Sequence, residues 1–312
     1  MELSILLAEQ IIAMFLMMAV GYAVVKAGLF EAKDSKVISN VVVYICNPCV
    51  VIDSFQIQLT NETLWGLLLA MAVSVGVHVV LITGTKICSR IFHFNNIESA
   101  SLIYTNCGYL VIPLVKSVLG EEWVLYTTAF ILVQTVLLWT HGVRLIGQET
   151  ELGIMKILQN PNVIAMIIGL LLFLTEFRLP TAIGSCISGF VDMISPASML
   201  VIGMVIGDVN LAWVFRQKRP YLICLFRLIV FPVIAAGVFA FLGHLGLHPD
   251  IEYILMIVLL ATAAPAAAMV TQVAQIYNKD SKYASVINVM SVIFCIVTMP
   301  FIVLLYEMLL YI

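Results

Sequence analysis

Charge is what this sequence has least of. Of its 312 residues only 11% are Asp, Glu, Lys or Arg, against 62% hydrophobic, and the mean hydropathy is +1.11. A soluble domain needs a more polar surface than that, so the balance excludes one. Catalytic signatures are missing as well: there is no HExxH, no GxSxG and no phosphate-binding P-loop, and an enzyme is not expected. The seven cysteines are scattered, mostly inside apolar runs. They read as small buried residues rather than a disulfide framework. The first residues, MELSILLAEQ, lack the basic leader of a secretory signal and carry Glu2 and Glu9. They are read as the start of a retained first helix. No cofactor, no metal site and no nucleic-acid partner is expected.

What the chain does have is long apolar runs, repeated from end to end. Runs of about 20 apolar residues read as transmembrane helices. Ten are predicted, over 5–25, 37–55, 64–85, 98–119, 123–142, 161–177, 181–206, 220–243, 253–276 and 284–310. The longest connection, residues 143–160, is itself partly helix-like, with ELGIMKIL. The cations alternate with the spans. Lys26, Lys33, Lys36, Lys86, Arg90, Arg144, Lys156, Arg216, Lys218, Arg219, Lys279 and Lys282 fall in the loops of one side, while Arg178 is the only clear cation of the other. The positive-inside rule makes the first side cytoplasmic and places both termini outside. The expected location is the cell membrane, plasma or inner.

The connection after the fifth span divides the chain into two five-helix parts, 1–150 and 151–312. An odd number of spans per part inverts the second relative to the first, the pattern of secondary transporters. Prolines recur in step: Pro48 and Pro196 in the second span of each part, Pro113 and Pro265 in the fourth. The fold expected is therefore an all-α membrane protein of ten transmembrane helices in two inverted five-helix repeats, with broken helices 4 and 9 crossing at the midplane.

The stretch TNCGYLVIPL, residues 105–114, and the stretch ATAAPAAAM, residues 261–269, carry these breaks. Pro113 cannot donate to the carbonyl of Tyr109, and Gly108 eases unwinding beside it. Unpaired backbone at membrane depth survives only inside protein or beside a wet cavity. The half-helix that follows each break begins with free N–H groups and the positive end of its dipole, which together suit an anion. A pair of proline kinks that only shape packing is the plainer alternative. The candidate substrate contacts are Asn106, Cys107, Gly108, Tyr109 and Pro113 at one break and Ala264, Pro265 and Gln272 at the other. Asn47 and Asn288 on neighbouring spans complete the set.

Other polar residues have simpler readings beside functional ones. Asp192 is a candidate proton site, or a carboxyl capped by Ser188 or Ser195. Arg227 can snorkel to the cytoplasm, pair with Asp208 or attract anions, and snorkelling is the reading expected. Glu9, Asp53 and Lys116 lie near span ends, where headgroup water reaches them. His78 and His141 read as packing residues, and Asn288 and Ser291 as glue between helices. CNPC, residues 46–49, has the spacing of a redox dithiol, so a transmembrane thiol relay is a further alternative. GMVIG, residues 203–207, suits close helix contact, within the chain or in a homodimer. NET, at Asn61, fits a glycan acceptor.

Five strings, taken in order and spacing, carry a family resemblance: GLFEAKDSKVISNVVVYICNPCVVI (28–52), YTNCGYLVIPLVKSVLG (104–120), LQNPNVIAMIIGLLL (158–172), SPASMLVIGM (195–204) and AAPAAAMVTQVAQIYNKD (263–280). Over nearly its whole length the chain resembles the auxin efflux carrier family, within the bile-acid/sodium symporter-like superfamily. The resemblance implies a scaffold or dimerisation domain from the first, second, sixth and seventh helices and a transport domain from the rest. It implies movement of small organic anions, auxin-like or malate- and malonate-like, by an elevator-type displacement. Sodium-coupled members of the superfamily use acidic and amide side chains near the crossing, whereas the ninth span here offers only Thr262, Thr271, Gln272 and Gln275. A membrane receptor that binds the same anions without moving them is the other reading.

Overall fold

The structure is a computed structural model, and it describes residues 2–147 and 159–310. The helix-like ELGIMKIL stretch and Lys156 lie outside the described residues. The described residues form helices: α1 (Glu2–Lys26), α2 (Ala32–Ser54), α3 (Asn61–Phe92), α4 (Asn96–Ile103), α5 (Cys107–Val118), α6 (Glu121–Gly147), α7 (Pro161–Leu174), α8 (Thr181–Asp208), α9 (Leu211–Arg216), α10 (Arg219–Gly243), α11 (Ile251–Ala263), α12 (Ala268–Ile276) and α13 (Ser281–Leu310). Polar residues set several starts. Thr60 caps α3 by accepting from Thr63 N, Asn160 caps α7 ahead of Pro161, and Asn95 and Glu98 form a reciprocal capping box on α4.

Prolines bend some helices without ending them. In α2 the turn Val42–Cys46 is a π turn just before Pro48, and in α10 the turn Phe226–Val230 is a π turn just before Pro232. A wider turn makes room for a ring that cannot donate to the preceding turn. Pro196 lies inside a continuous α8.

Among the described residues six helices are long and apolar enough to cross a membrane: Ala32–Ser54, Asn61–Phe92, Glu121–Gly147, Thr181–Asp208, Arg219–Gly243 and Ser281–Leu310. This corrects the expected ten transmembrane helices in two inverted five-helix repeats. Four further apolar helical stretches, the Ile12–Lys26 part of α1, Cys107–Val118, Pro161–Leu174 and Ile251–Ala263, are each only 10–17 residues long. Two physical reasons account for the difference at the fourth, sixth and ninth predicted spans. Hydropathy counted straight through 98–119 and 253–276, where the backbone in fact leaves the helix. The segment at 161–177 forms only 14 helical residues, a rise of about 21 Å against a hydrocarbon core of about 30 Å.

Two packing features position the rest. The backbones of α1 and α8 touch, because a methyl group added at Gly203 would collide with the carbonyl of Met18, and one at Gly21 with that of Leu200. GMVIG therefore serves a contact within the chain. The interrupted pairs α4–α5 and α11–α12 lie at the centre: residues 97–107 and 254–267 are buried without exception. The stretch 254–267 is apolar on nearly every side and so must be surrounded, whereas 97–107 also buries Glu98, Ser99 and Ser101.

Candidate functional site

Residues 104–106 and 264–267 are the two places where the central helices open. The links run past each other as an antiparallel bridge, Thr105 opposite Ala266. Asn106 N donates to Pro265 O at 2.8 Å and Ala267 N to Tyr104 O at 3.0 Å. The outward edges of the bridge find side chains. Gln134 of α6 accepts from Thr105 N at 2.8 Å and donates to Thr105 O at 2.9 Å. On the far edge, Ser291 Oγ of α13 accepts from Ala266 N at 3.0 Å, and Asn288 Nδ2 donates to Ala266 O at 2.6 Å. Thr105 and Ala266 thus have all their backbone groups paired, as an apolar surrounding demands.

The carbonyls that end α4 and α11 face a guanidinium. Arg227 of α10 is fully buried. It donates to Leu102 O at 3.1 Å, to Thr262 O at 2.8 Å and to Ala264 O at 3.0 and 3.1 Å. This corrects the expected snorkelling, since the side chain is held inside the protein. Carbonyls at helix C-termini are unpaired and carry the negative end of the dipole, which is what a buried cation needs.

Beyond the links lies a cavity of about 580 Å³. The N-cap residue of α5, Asn106, and the first residue of α12, Ala268, both line it. Tyr109, Thr271, Gln272, Ser285 and Asn288 add polar atoms, and α2 contributes Ser39, Asn40 and, toward the exposed end, Lys33 and Lys36. Val201, Ile202, Val205 and Ile206 of α8 form an apolar wall. Its lining contains two lysines and no Asp or Glu. The side-chain amide of Asn106 makes no hydrogen bond among the described residues, while Tyr109 Oη and Ser39 Oγ are 3.0 Å apart.

The profile of one protein family, described as membrane transport protein, matches residues 6–154 and again 150–303. The chain belongs to that family, the family of the auxin efflux carriers. It is an integral membrane transport protein, not an enzyme. No curated protein matches it.

In this membrane transport protein the predicted contacts separate. Asn106, Tyr109, Gln272 and Asn288 meet at the cavity. Asn288 also holds the Ala266 carbonyl, so it has the gluing role as well. Cys107 is buried behind the link, where Gln134 Nε2 lies 3.4 Å from its sulfur. Ala264 and Pro265 contribute carbonyls, to Arg227 and Asn106 respectively. Gly108 sits beside Asn47, whose Oδ1 is buried without a partner, and neither lines the cavity. Pro113 is buried within α5, past the break rather than at it. Asp192 is elsewhere, with a 73% exposed side chain 2.8 Å from Lys116 Nζ, which also pairs with Glu121 at 2.9 Å.

Sequence reasoning missed Gln134 as a partner of the link, Arg227 as a cap, and Lys33 and Lys36 as part of the cavity. Gln134 had a signal: it is a lone amide in the apolar run FILVQTVLLW, residues 130–139. Cys46 of the CNPC string is fully buried, and all seven cysteines are free.

Proposed function

We propose that the protein is a secondary carrier of small organic anions, with carboxylates as the substrate class. The observation that carries this reading is the cavity's charge pattern. Two helix N-termini border it, amide and hydroxyl donors surround it, and two lysines stand at its exposed end, with no carboxylate in the lining. An anion entering there meets donors and positive dipole ends without any opposing acid. Asn106, with a free amide, orients the carboxylate, and Gln272 and Thr271 supply further donors. The apolar wall from α8 suits the hydrocarbon part of the substrate.

The arrangement also supports an elevator-type displacement. The cavity lies between two sets of helices: α2 and α8 on one side, and α5, α12 and α13 on the other. We group α1, α2, α7 and α8 as a scaffold, and α3 to α6 with α10 to α13 as the moving part that carries the links. Lys33 and Lys36 mark the cavity's open end, and the positive-inside rule makes that end cytoplasmic, with both termini outside.

A thermal-shift panel of indole-3-acetate, benzoate, malonate and malate on purified protein finds the ligand, since compounds that bind the folded state raise its melting temperature. Counterflow of the best ligand into proteoliposomes then tests transport. Saturable binding without counterflow would establish a receptor instead.

A further inference from the structure

We propose that Arg227 is a resident cation: it clamps the ends of α4 and α11 to each other and gives the anion cavity its positive potential. A buried charge normally pairs with an opposite charge or becomes neutral. Arg227 is 0% exposed, and its hydrogen-bond partners are the carbonyls of Leu102, Thr262 and Ala264. No carboxylate pairs with it among the described residues. The neighbouring carbonyl, Ala263 O, lies 3.6 Å from Cys295 Sγ. The carbonyl cluster thus takes the place of an acid.

The consequence lies across the links. With the negative ends of α4 and α11 met by the guanidinium, the positive ends of α5 and α12 face the cavity with nothing to offset them. Had a Glu or Asp paired with Arg227, its charge would cancel that field. The guanidinium suits the task because its planar fork spreads donors over carbonyls from two helices, which a single ammonium cannot do. The π turn Phe226–Val230 contains Arg227, and π turns recur where a side chain must be re-aimed. The clamp follows from the geometry alone; the effect on anions rests on the carrier reading above.

The variants Arg227→Ala, Arg227→Met and Arg227→Lys test both halves. In Arg227→Ala the carbonyls are left without their cation, and guanidinium chloride at low millimolar concentration is expected to raise its melting temperature while leaving the wild type unchanged. The best ligand of the carboxylate panel should bind this variant about tenfold more weakly, as for one unit charge roughly 10 Å away in a protein interior. Added guanidinium should recover part of that loss. Folded Arg227→Ala that ignores guanidinium overturns the clamp. Wild-type carboxylate affinity in Arg227→Ala overturns the electrostatic role. If the alanine variant does not fold, Arg227→Met and Arg227→Lys are compared: the charged variant should bind the carboxylate about tenfold more tightly, and equal affinities would overturn the proposal. Should no carboxylate bind the wild type, the carrier reading falls, and the guanidinium measurement still decides the clamp.

Discussion

Gln134 holds Thr105 with both ends of its amide, Oε1 accepting from the backbone N–H at 2.8 Å and Nε2 donating to the carbonyl at 2.9 Å. One side chain thus acts as the neighbouring strand that an extended link in a helical protein does not have. Replacing it with leucine keeps the volume and removes both partners. Each buried backbone group left unpaired costs about 1–3 kcal/mol, so Gln134→Leu should destabilise the protein by about 2–6 kcal/mol. Thermal unfolding in detergent reads this. Thr135→Val is the control, because that hydroxyl only bonds back to its own helix at Ile131 O, and its loss should cost under about 1 kcal/mol.

Asn106 and Asn288 should respond differently to the same truncation. The Asn106 side chain is free of partners among the described residues and lines the cavity. Asn106→Ala should therefore keep its melting temperature and lose carboxylate affinity by about ten- to a hundredfold, the worth of a hydrogen bond to a charged group. Asn288→Ala should lose stability as well, since Nδ2 carries the Ala266 carbonyl. Titration calorimetry beside thermal unfolding separates the two. Equal loss of stability in both variants would remove Asn106 from the substrate's list of donors.

Much of this site could be read in the chain, and the unread parts share a cause. Asn and Gly in TNCG announced an interruption in the right neighbourhood, and Asn106 does border a cavity. The sequence points to Pro113 as the break, yet the backbone leaves the helix at 104–106 and Pro113 lies inside α5. Proline marks a missing donor, whereas the opening is made by Pro265, Ala266 and Gln134, which are remote in sequence. Arg227 is the same lesson. Its three carbonyl partners come from α4 and from the end of α11, and nothing in FRLIV reports them. The count of spans failed for a related reason, since a hydropathy window sees composition and not the point where a helix stops.

The crossing of α1 and α8 offers a sharp stability test. Gly203 packs against the Met18 carbonyl and Gly21 against the Leu200 carbonyl. Backbone cannot yield as a side-chain tip can, so Gly203→Ala and Gly21→Ala should each destabilise by about 1–3 kcal/mol, the range for overpacking. Gly184 and Gly189 lie on the same helix α8 with open space where a methyl would go. Gly184→Ala and Gly189→Ala should be neutral or stabilising by up to about 1 kcal/mol, through helix propensity alone. Similar losses at all four positions would mean that α1 and α8 do not meet at Gly203.

Lys33 and Lys36 line the exposed end of the cavity, on the approach to Asn106 rather than beside it. Lys33 already pairs with Glu31 at 2.5 Å, with both side chains exposed, so its attraction for a distant anion is partly spent. Exposed charges at an entrance act chiefly on encounter, and salt screens them within about 10 Å at 0.1 M. The double variant Lys33→Gln, Lys36→Gln should therefore take up a carboxylate several-fold more slowly at low ionic strength, with most of the deficit in Lys36→Gln alone. Near molar salt the difference from wild type should vanish, because the screened entrance is then neutral in both. A deficit that persists at high salt would place the lysines in contact with the bound anion, and their role would be affinity rather than steering.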